Sequence, residues 1–155
     1  MVYEETTASV KSFAVRPYQG RNYWQVKSLK ADSIEADEEF GFVVGWISGD
    51  GHIRKNRDGV TLLFSKTEKG IWEKIESSLK KWGVVYSSPR QRAGCFDVEA
   101  GGYQFRSILD QIFVGTTAKD KVFSLAVFST PQSFKRGLLR GLFSSDGTRK
   151  VWEED

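Results

Sequence analysis

The chain has very few residues of the kinds that bind soft metals or form covalent cross-links. Its 155 residues include a single cysteine, Cys95, and a single histidine, His52. One cysteine excludes an intramolecular disulfide and any zinc or iron–sulfur site built from several cysteines, and one histidine excludes His-rich metal sites. Apolar runs are also short, and none approaches the ~18 residues that would cross a bilayer. We therefore expect a soluble, intracellular (cytoplasmic) chain with no membrane segment.

The composition supports a folded domain. Hydrophobic residues make up 39% of the chain and aromatic residues 14%. This is enough large apolar side chain for a core, so wholesale disorder is excluded. The length corresponds to one domain, or to one domain with a fragment of a second.

Basic residues are concentrated in one part of the sequence. The net charge is only +3, but residues 52–92 contain ten lysine or arginine residues and four acidic ones. A local basic excess is typical of a surface that binds nucleic-acid phosphates. It is equally compatible with a solvated surface that binds nothing.

An internal repeat is the most informative feature. Residues 40–51 read FGFVVGWISGDG and residues 136–147 read RGLLRGLFSSDG, with five of twelve positions identical. Small residues recur at every fourth position, which places them on one helical face. Such stripes let two helix backbones approach closely, so we predict a helix interface. The residues of this interface are Gly41, Gly45, Gly49, Gly137, Gly141 and Ser145.

Each repeat ends in Asp-Gly. We expect Gly51 and Gly147 to take the left-handed conformation that ends many helices. If the two stripes pack together, Asp50 and Asp146 arrive at the same end, where the helix dipoles disfavour negative charge. Two carboxylates in that position predict a site for a hard divalent cation such as Mg²⁺.

The segments 43–51 and 139–147 resemble the paired motifs of LAGLIDADG homing endonucleases, in particular those embedded in inteins. The resemblance implies that Asp50 and Asp146 are catalytic metal ligands. Lys121 lies 25 residues before Asp146 and resembles the active-site lysine of that family. An earlier acid of the motif is replaced by serine in both copies.

The sequence pattern predicts an α+β fold. Strands are expected at 52–57 and 60–66, a helix at 68–82, a second hairpin at 84–91 and 95–99, and a helix at 102–113. This matches the αββαββα unit of the family, which implies a four-stranded antiparallel DNA-binding β-saddle, plus the second motif helix. The side chains available to contact DNA are Arg54, Lys55, Arg57, Thr61, Lys66, Ser88, Arg90, Gln91 and Arg92.

Three regions are expected. Residues 1–37 resemble the end of an intein splicing domain, residues 38–128 form the endonuclease domain, and residues 129–155 hold the second motif helix and the truncated start of a second half. One sheet is present where a two-motif enzyme needs two. We therefore expect an N-terminal part or split half, a truncated piece or a degenerate remnant, with a complementary C-terminal fragment or self-association covering the second helix.

The function expected from these features is Mg²⁺-dependent, site-specific hydrolysis of double-stranded DNA by a homing endonuclease or its N-terminal half. The enzyme would act alone or with a partner fragment. Two alternatives stay open. One is a non-catalytic DNA- or RNA-binding module, maturase-like or a recognition subunit, and the other is an inactive intein remnant.

Overall fold

The computed structural model describes residues 9–16, 29–53, 58–115 and 121–147. Within these ranges the helices are α1 (Glu38–Asp50), α2 (Lys69–Trp82), α3 (Tyr103–Ile112) and α4 (Gln132–Leu142). The strands are β1 (Ser12–Ala14), β2 (Ser33–Glu35), β3 (Gly51–Ile53), β4 (Val60–Ser65), β5 (Val85–Tyr86), β6 (Arg90–Arg92), β7 (Cys95–Gly101), β8 (Phe113–Val114) and β9 (Val122–Phe123). The predicted α+β class is confirmed.

The main sheet is antiparallel and carries the strands predicted between the two repeats. Its order is β3-β4-β7-β5, and β6 also pairs with β7, beside β5 along the same edge. The strand predicted at 84–91 is therefore two short strands, separated by residues 87–89. Pro89 has no backbone N–H to donate to β7, which explains why the pairing stops there.

The core lies between one face of the sheet and the helices. Trp46 of α1 stacks on Phe64 of β4 at a centroid distance of 5.3 Å, and Phe64 stacks on Phe96 of β7 at 5.1 Å. All residues of α1 from Phe40 to Ile47 are buried. A helix that is apolar on every side must be covered on every side, and α1 is covered by the sheet and by α4.

Helices α2 and α3 have the amphipathic pattern that the sequence predicted. Helix α2 buries Trp72, Ile75 and Leu79 and ends at Gly83, whose φ of +81° is left-handed. Because these apolar residues point into the core, α2 lies on the inner side of the sheet. Among the described residues on the opposite side of the sheet, Leu63 is exposed and Thr61 and Ser65 are half-buried.

Helices α1 and α4 run parallel and touch through their glycines. A Cβ added to Gly45 would overlap the Leu138 carbonyl oxygen and lie 2.9 Å from the Cα of Gly141. A Cβ on Gly141 would in turn lie 2.8 Å from the Trp46 nitrogen. Only glycine allows this approach of the two backbones.

The expectation for Gly51 is wrong. Gly51 is extended, with φ −109° and ψ 157°, and it continues directly into β3. Glycine is needed there for space, because a Cβ would lie 2.6 Å from the Ile47 carbonyl oxygen.

The described part of residues 1–37 shares this core. Strand β1 pairs with β2, and Phe13 packs against Phe40 and Phe134 with centroid distances of 6.1 and 5.9 Å. The region boundaries drawn from the sequence stay predictions. Among the described helices, none combines the length and apolar character that crossing a membrane requires.

Candidate functional site

The parallel packing brings the ends of the two repeats to the same side of the molecule. Asp50 is the last residue of α1 and is 7% exposed. Asp146 lies in a π-helical turn, Phe143–Gly147, that follows α4 and contacts α1. The Asp146 side chain lies outside what the structure describes, so the pairing of the two carboxylates stays a prediction.

Lys121 lies at the Asp50 end of α1, as the sequence led us to expect. Its ammonium group donates hydrogen bonds to the carbonyl oxygens of Ile47 (2.7 Å) and Gly51 (2.8 Å), and the residue is 9% exposed. The Ile47 carbonyl oxygen also accepts from the Gly51 backbone N–H, and it lies at the negative dipole end of α1. Lys121 therefore stabilises the turn that holds Asp50, and its predicted role in catalysis stays a prediction.

A shallow groove of 370 Å³ extends from the end of α1 across the open side of the sheet. It is lined by Gly49, Asp50, Gly51, His52, Thr61, Leu63, Arg90, Arg92 and Asp97. Residues paired across antiparallel strands lie on the same face. The register pairs His52 with Thr61, Thr61 with Glu99, and Asp97 with both Leu63 and Arg90.

We call this side of the sheet the outer face. Its residues either alternate with buried residues along a strand or pair with a neighbouring-strand residue that alternates in this way. They are His52, Thr61, Leu63, Ser65, Arg90, Arg92, Cys95, Asp97 and Glu99. Asp50 joins this face at one end, and this residue lines the same groove as Arg90 and Arg92.

An ion-pair cluster lies in the middle of the outer face. Asp97 Oδ1 accepts a hydrogen bond from Arg90 Nε at 2.9 Å, and Asp97 Oδ2 forms an ion pair with Arg92 Nε at 2.7 Å. Arg90 Nη2 lies 3.7 Å from Glu99 Oε1. The hydrogen bond to Asp97, together with the negative charge of that carboxylate, raises the pKa of Arg90.

The predicted DNA-contacting residues are distributed over several parts of the structure. Thr61, Arg90 and Arg92 lie on the outer face. Lys66 begins a 3₁₀ turn after β4, and Ser88 is exposed in the connection between β5 and β6. Three further residues lie outside the described residues: Arg54, Lys55 and Arg57.

Gln91 does not share the outer face. It pairs with Phe96, which is buried on the inner side, so the strand alternation turns Gln91 away from Arg90 and Arg92. It lines a separate pocket of 290 Å³ with Lys66, Lys69, Trp72, Pro89 and Phe96.

The basic excess of residues 52–92 does not form one continuous surface in the described part of the chain. Several of its lysines, including Lys69, Lys74 and Lys80, belong to α2 on the inner side of the sheet. On the outer face, Arg90 and Arg92 are accompanied by two acids, Asp97 and Glu99. Sequence reasoning missed these two acids. The alternation along the second hairpin could have found Asp97, because it places Asp97 across from Arg90.

The described residues include no group of three or more His, Cys, Asp or Glu side chains arranged to hold a metal ion. Within that part of the chain, Asp50 is the predicted metal ligand whose position is defined. Its carboxylate is a hard oxygen donor of the type Mg²⁺ prefers, and Mg²⁺ commonly takes only one or two protein carboxylates along with water and phosphate oxygens. Asp50 lines the groove and its Oδ2 atom is buried, so such an ion would be bound through Oδ1.

Comparison with known proteins gives a different indication from the motif resemblance. No protein-family model matches the chain. Over 119 residues the chain is 26% identical to the DNA-directed RNA polymerase subunit Rpo1C of Methanocaldococcus jannaschii. The match covers 75% of this chain but 13% of that protein.

The expectation of a homing endonuclease is therefore corrected. The relative is named as a polymerase subunit, and nothing in the comparison names a homing endonuclease, a LAGLIDADG protein or an intein. The alternatives built on the same resemblance, a maturase-like module and an intein remnant, are corrected with it. Twelve residues repeated twice are a short basis for a functional assignment, and the same glycine spacing serves any closely packed helix pair.

Proposed function

We propose that this chain is a nucleic-acid-binding domain that binds double-stranded DNA on the outer face of its main sheet. The observation that carries the proposal is the position of Arg90 and Arg92. Their guanidinium groups are fixed side by side on an open sheet face, next to a groove that also contains Thr61. The name of the relative, a DNA-directed polymerase subunit, supports association with nucleic acid or with a larger complex.

The chemistry of the outer face suits a phosphate backbone. Guanidinium groups bind phosphate oxygens through paired N–H donors, and hydroxyl groups such as that of Thr61 bind phosphates or base edges. An antiparallel β-ribbon also fits the major groove of DNA. The acids Asp97 and Glu99 keep the described part of this face close to neutral, so we expect modest affinity and a salt dependence that corresponds to few phosphate contacts.

The test is a titration of a fluorescently labelled DNA duplex, followed by anisotropy at several salt concentrations. We expect the affinity to fall as salt rises, and Arg92→Gln to reduce the slope by about one phosphate contact. The matched control is Lys80→Gln, which removes the same charge from the exposed side of α2. Equal effects of the two substitutions, or an affinity that does not depend on salt concentration, would contradict DNA binding on the outer face.

We further propose that Asp50 is a Mg²⁺ ligand when DNA lies in the groove. The carboxylate would supply one oxygen and a DNA phosphate would supply others, while Lys121 holds the chain around Asp50 in place. Asp146 would be a second ligand. A bound Mg²⁺ would neutralise phosphate charge and polarise a phosphate ester. We expect Mg²⁺ or Ca²⁺ to tighten DNA binding by the wild-type chain and not by Asp50→Asn.

A second candidate function is metal-dependent hydrolysis of DNA, by this chain alone or with a partner fragment. The position of Asp50 favours it, because this residue lines the same groove as the arginines. The measurement is nicking of supercoiled plasmid with Mg²⁺. Cutting by the wild-type chain that disappears in Asp50→Asn supports hydrolysis, and equal cutting by both proteins counts against it.

Helix α4 suggests a protein partner. Leu138 is buried, but Leu139 and Phe143 are 53% and 67% exposed. Exposed side chains of this size are typical of an interaction surface. We propose that a complementary polypeptide or a second copy of the chain covers them. Light scattering with and without Leu139→Glu tests self-association, and a monomer in both cases leaves the complementary polypeptide as the occupant.

A further inference from the structure

We propose that Asp97 is a positioning residue that orients Arg90 and Arg92 for the backbone phosphates of DNA. The inference rests on the proposed function. Asp97 is not offered as a DNA contact itself, since its side chain is only 4% exposed. It acts through the two arginines.

The geometry assigns one carboxylate oxygen to each arginine. Arg90 Nε donates a hydrogen bond to Oδ1 at 2.9 Å, and Arg92 Nε forms an ion pair with Oδ2 at 2.7 Å. Both arginine side chains remain more than half exposed, at 52% and 61%. Each guanidinium thus contacts Asp97 through its inner nitrogen, and Arg90 Nη2 also lies 3.7 Å from Glu99 Oε1.

Orientation of this kind favours phosphate binding for an entropic reason. A free arginine side chain loses rotamer freedom when it binds a phosphate, and that loss weakens binding. Here the rotamer freedom of both arginine side chains is already lost on folding, because Asp97 holds them in place before DNA binds. Two-residue spacing on β6 also places the guanidinium groups on the same face, where they can reach neighbouring positions of one phosphate backbone.

The inference makes a prediction opposite in sign to simple electrostatics. Removing a negative charge from a DNA-binding face should tighten binding if charge alone matters. If Asp97 positions the arginines, Asp97→Asn should weaken binding, because an amide offers one acceptor oxygen where the carboxylate offered two. Glu99 supplies the matched control, since it carries the same charge on the same face but lies 3.7 Å from Arg90.

The experiment measures duplex affinity at fixed salt for the wild-type chain, Asp97→Asn and Glu99→Gln. We expect Asp97→Asn to weaken binding on the order of fivefold and Glu99→Gln to tighten it. Thermal unfolding shows whether each variant folds. Should Asp97→Asn fail to fold, Arg92→Lys carries the test. Lysine keeps the positive charge at this exposed position. Its single nitrogen cannot bind Asp97 while two further nitrogens bind a phosphate, as a guanidinium can.

The outcomes separate this inference from the proposed function. A wild-type chain without salt-dependent DNA binding overturns both. A wild-type chain that binds DNA, with Asp97→Asn tightening like Glu99→Gln or Arg92→Lys binding as well as wild type, overturns the positioning role alone. Weaker binding in both Asp97→Asn and Arg92→Lys, with Glu99→Gln binding more tightly than wild type, supports it.

Discussion

Gly45→Ala is expected to destabilise the fold strongly, because the contact between α1 and α4 leaves no room for a methyl group. The added Cβ would overlap the Leu138 carbonyl oxygen, lie 2.8 Å from the Leu142 nitrogen and lie 2.9 Å from the Gly141 Cα. All three are backbone atoms, so no side chain can rotate away. The helices must move apart by roughly half an ångström or more to restore ordinary contact distances.

The size of the effect follows from two opposed terms. Alanine is favoured over glycine inside a helix by about 0.5–1 kcal/mol. Overpacking costs about 1–3 kcal/mol, and occasionally more, when the surroundings cannot adjust. Because the shift would separate two buried helices, we place the overpacking cost above that range. A net loss of about 2–3 kcal/mol lowers the melting temperature of a chain this size by about 4–12 °C.

The assay is thermal and urea unfolding of Gly45→Ala beside Gly70→Ala. Gly70 lies in the exposed first turn of α2, and a Cβ there meets no atom within 4 Å. The helix-propensity gain is thus present in both variants, and the steric clash is present in Gly45→Ala alone. We expect Gly70→Ala to be as stable as the wild-type chain or slightly more stable. Equal stability of the two variants would refute the close packing of the glycine stripes.

Two further predictions concern stability. Lys121→Met should lower the unfolding free energy by about 1–3 kcal/mol, because two carbonyl groups lose a buried donor. The control Lys69→Met, at an exposed position, should leave the unfolding free energy unchanged. Equal losses for the two variants in urea titrations would contradict the stabilising role of Lys121. Burial raises the pKa of Glu39, but hydrogen bonds from Lys81 and Ser78 outweigh it, so the net pKa is lowered from 4.5. Glu39 therefore stabilises the fold above about pH 4.5 and loses this effect as pH falls through its lowered pKa. The stability gap between wild type and Glu39→Gln should shrink over that range in unfolding titrations, and a constant gap would contradict the shift.

Much of the fold could be predicted because its elements are long and periodic. Ile75 and Leu79 mark the buried face of α2, and Gly83 marks its end, all within one local stretch of sequence. The repeated glycines predicted the α1–α4 contact for the same reason. Local pattern and tertiary packing agree at these positions.

The parts that escaped prediction depend on contacts between distant residues. Phe13 belongs to the core, but a three-residue strand gives no usable periodicity. Gln91 was grouped with its neighbours Arg90 and Arg92, although consecutive strand residues point to opposite faces, and it lies on the inner side. Asp97 joins the site through its pairing with Arg90 of β6. The alternation along the second hairpin indicates this pairing, but we did not assign the acids of β7 to the outer face from the sequence.

The candidate site was predicted in position more than in function. Asp50 and Lys121 lie at the same helix end, as the two motifs indicated. The functional label attached to those motifs was wrong, because close helix packing alone is sufficient to explain most of the repeat. What the motifs locate is a helix end beside an open sheet face.

The most direct test of DNA binding on the outer face uses Cys95, the chain's single cysteine, which is partly exposed beside Arg92. The measurement is its alkylation rate with and without saturating duplex DNA. The control is Glu73→Cys in a Cys95→Ser background, which places the thiol on the exposed side of α2. We predict that DNA slows alkylation at position 95 several-fold and leaves position 73 unchanged, as protection by contact requires. DNA that binds the chain yet leaves Cys95 fully reactive, or protects position 73 more, would contradict binding on the outer face.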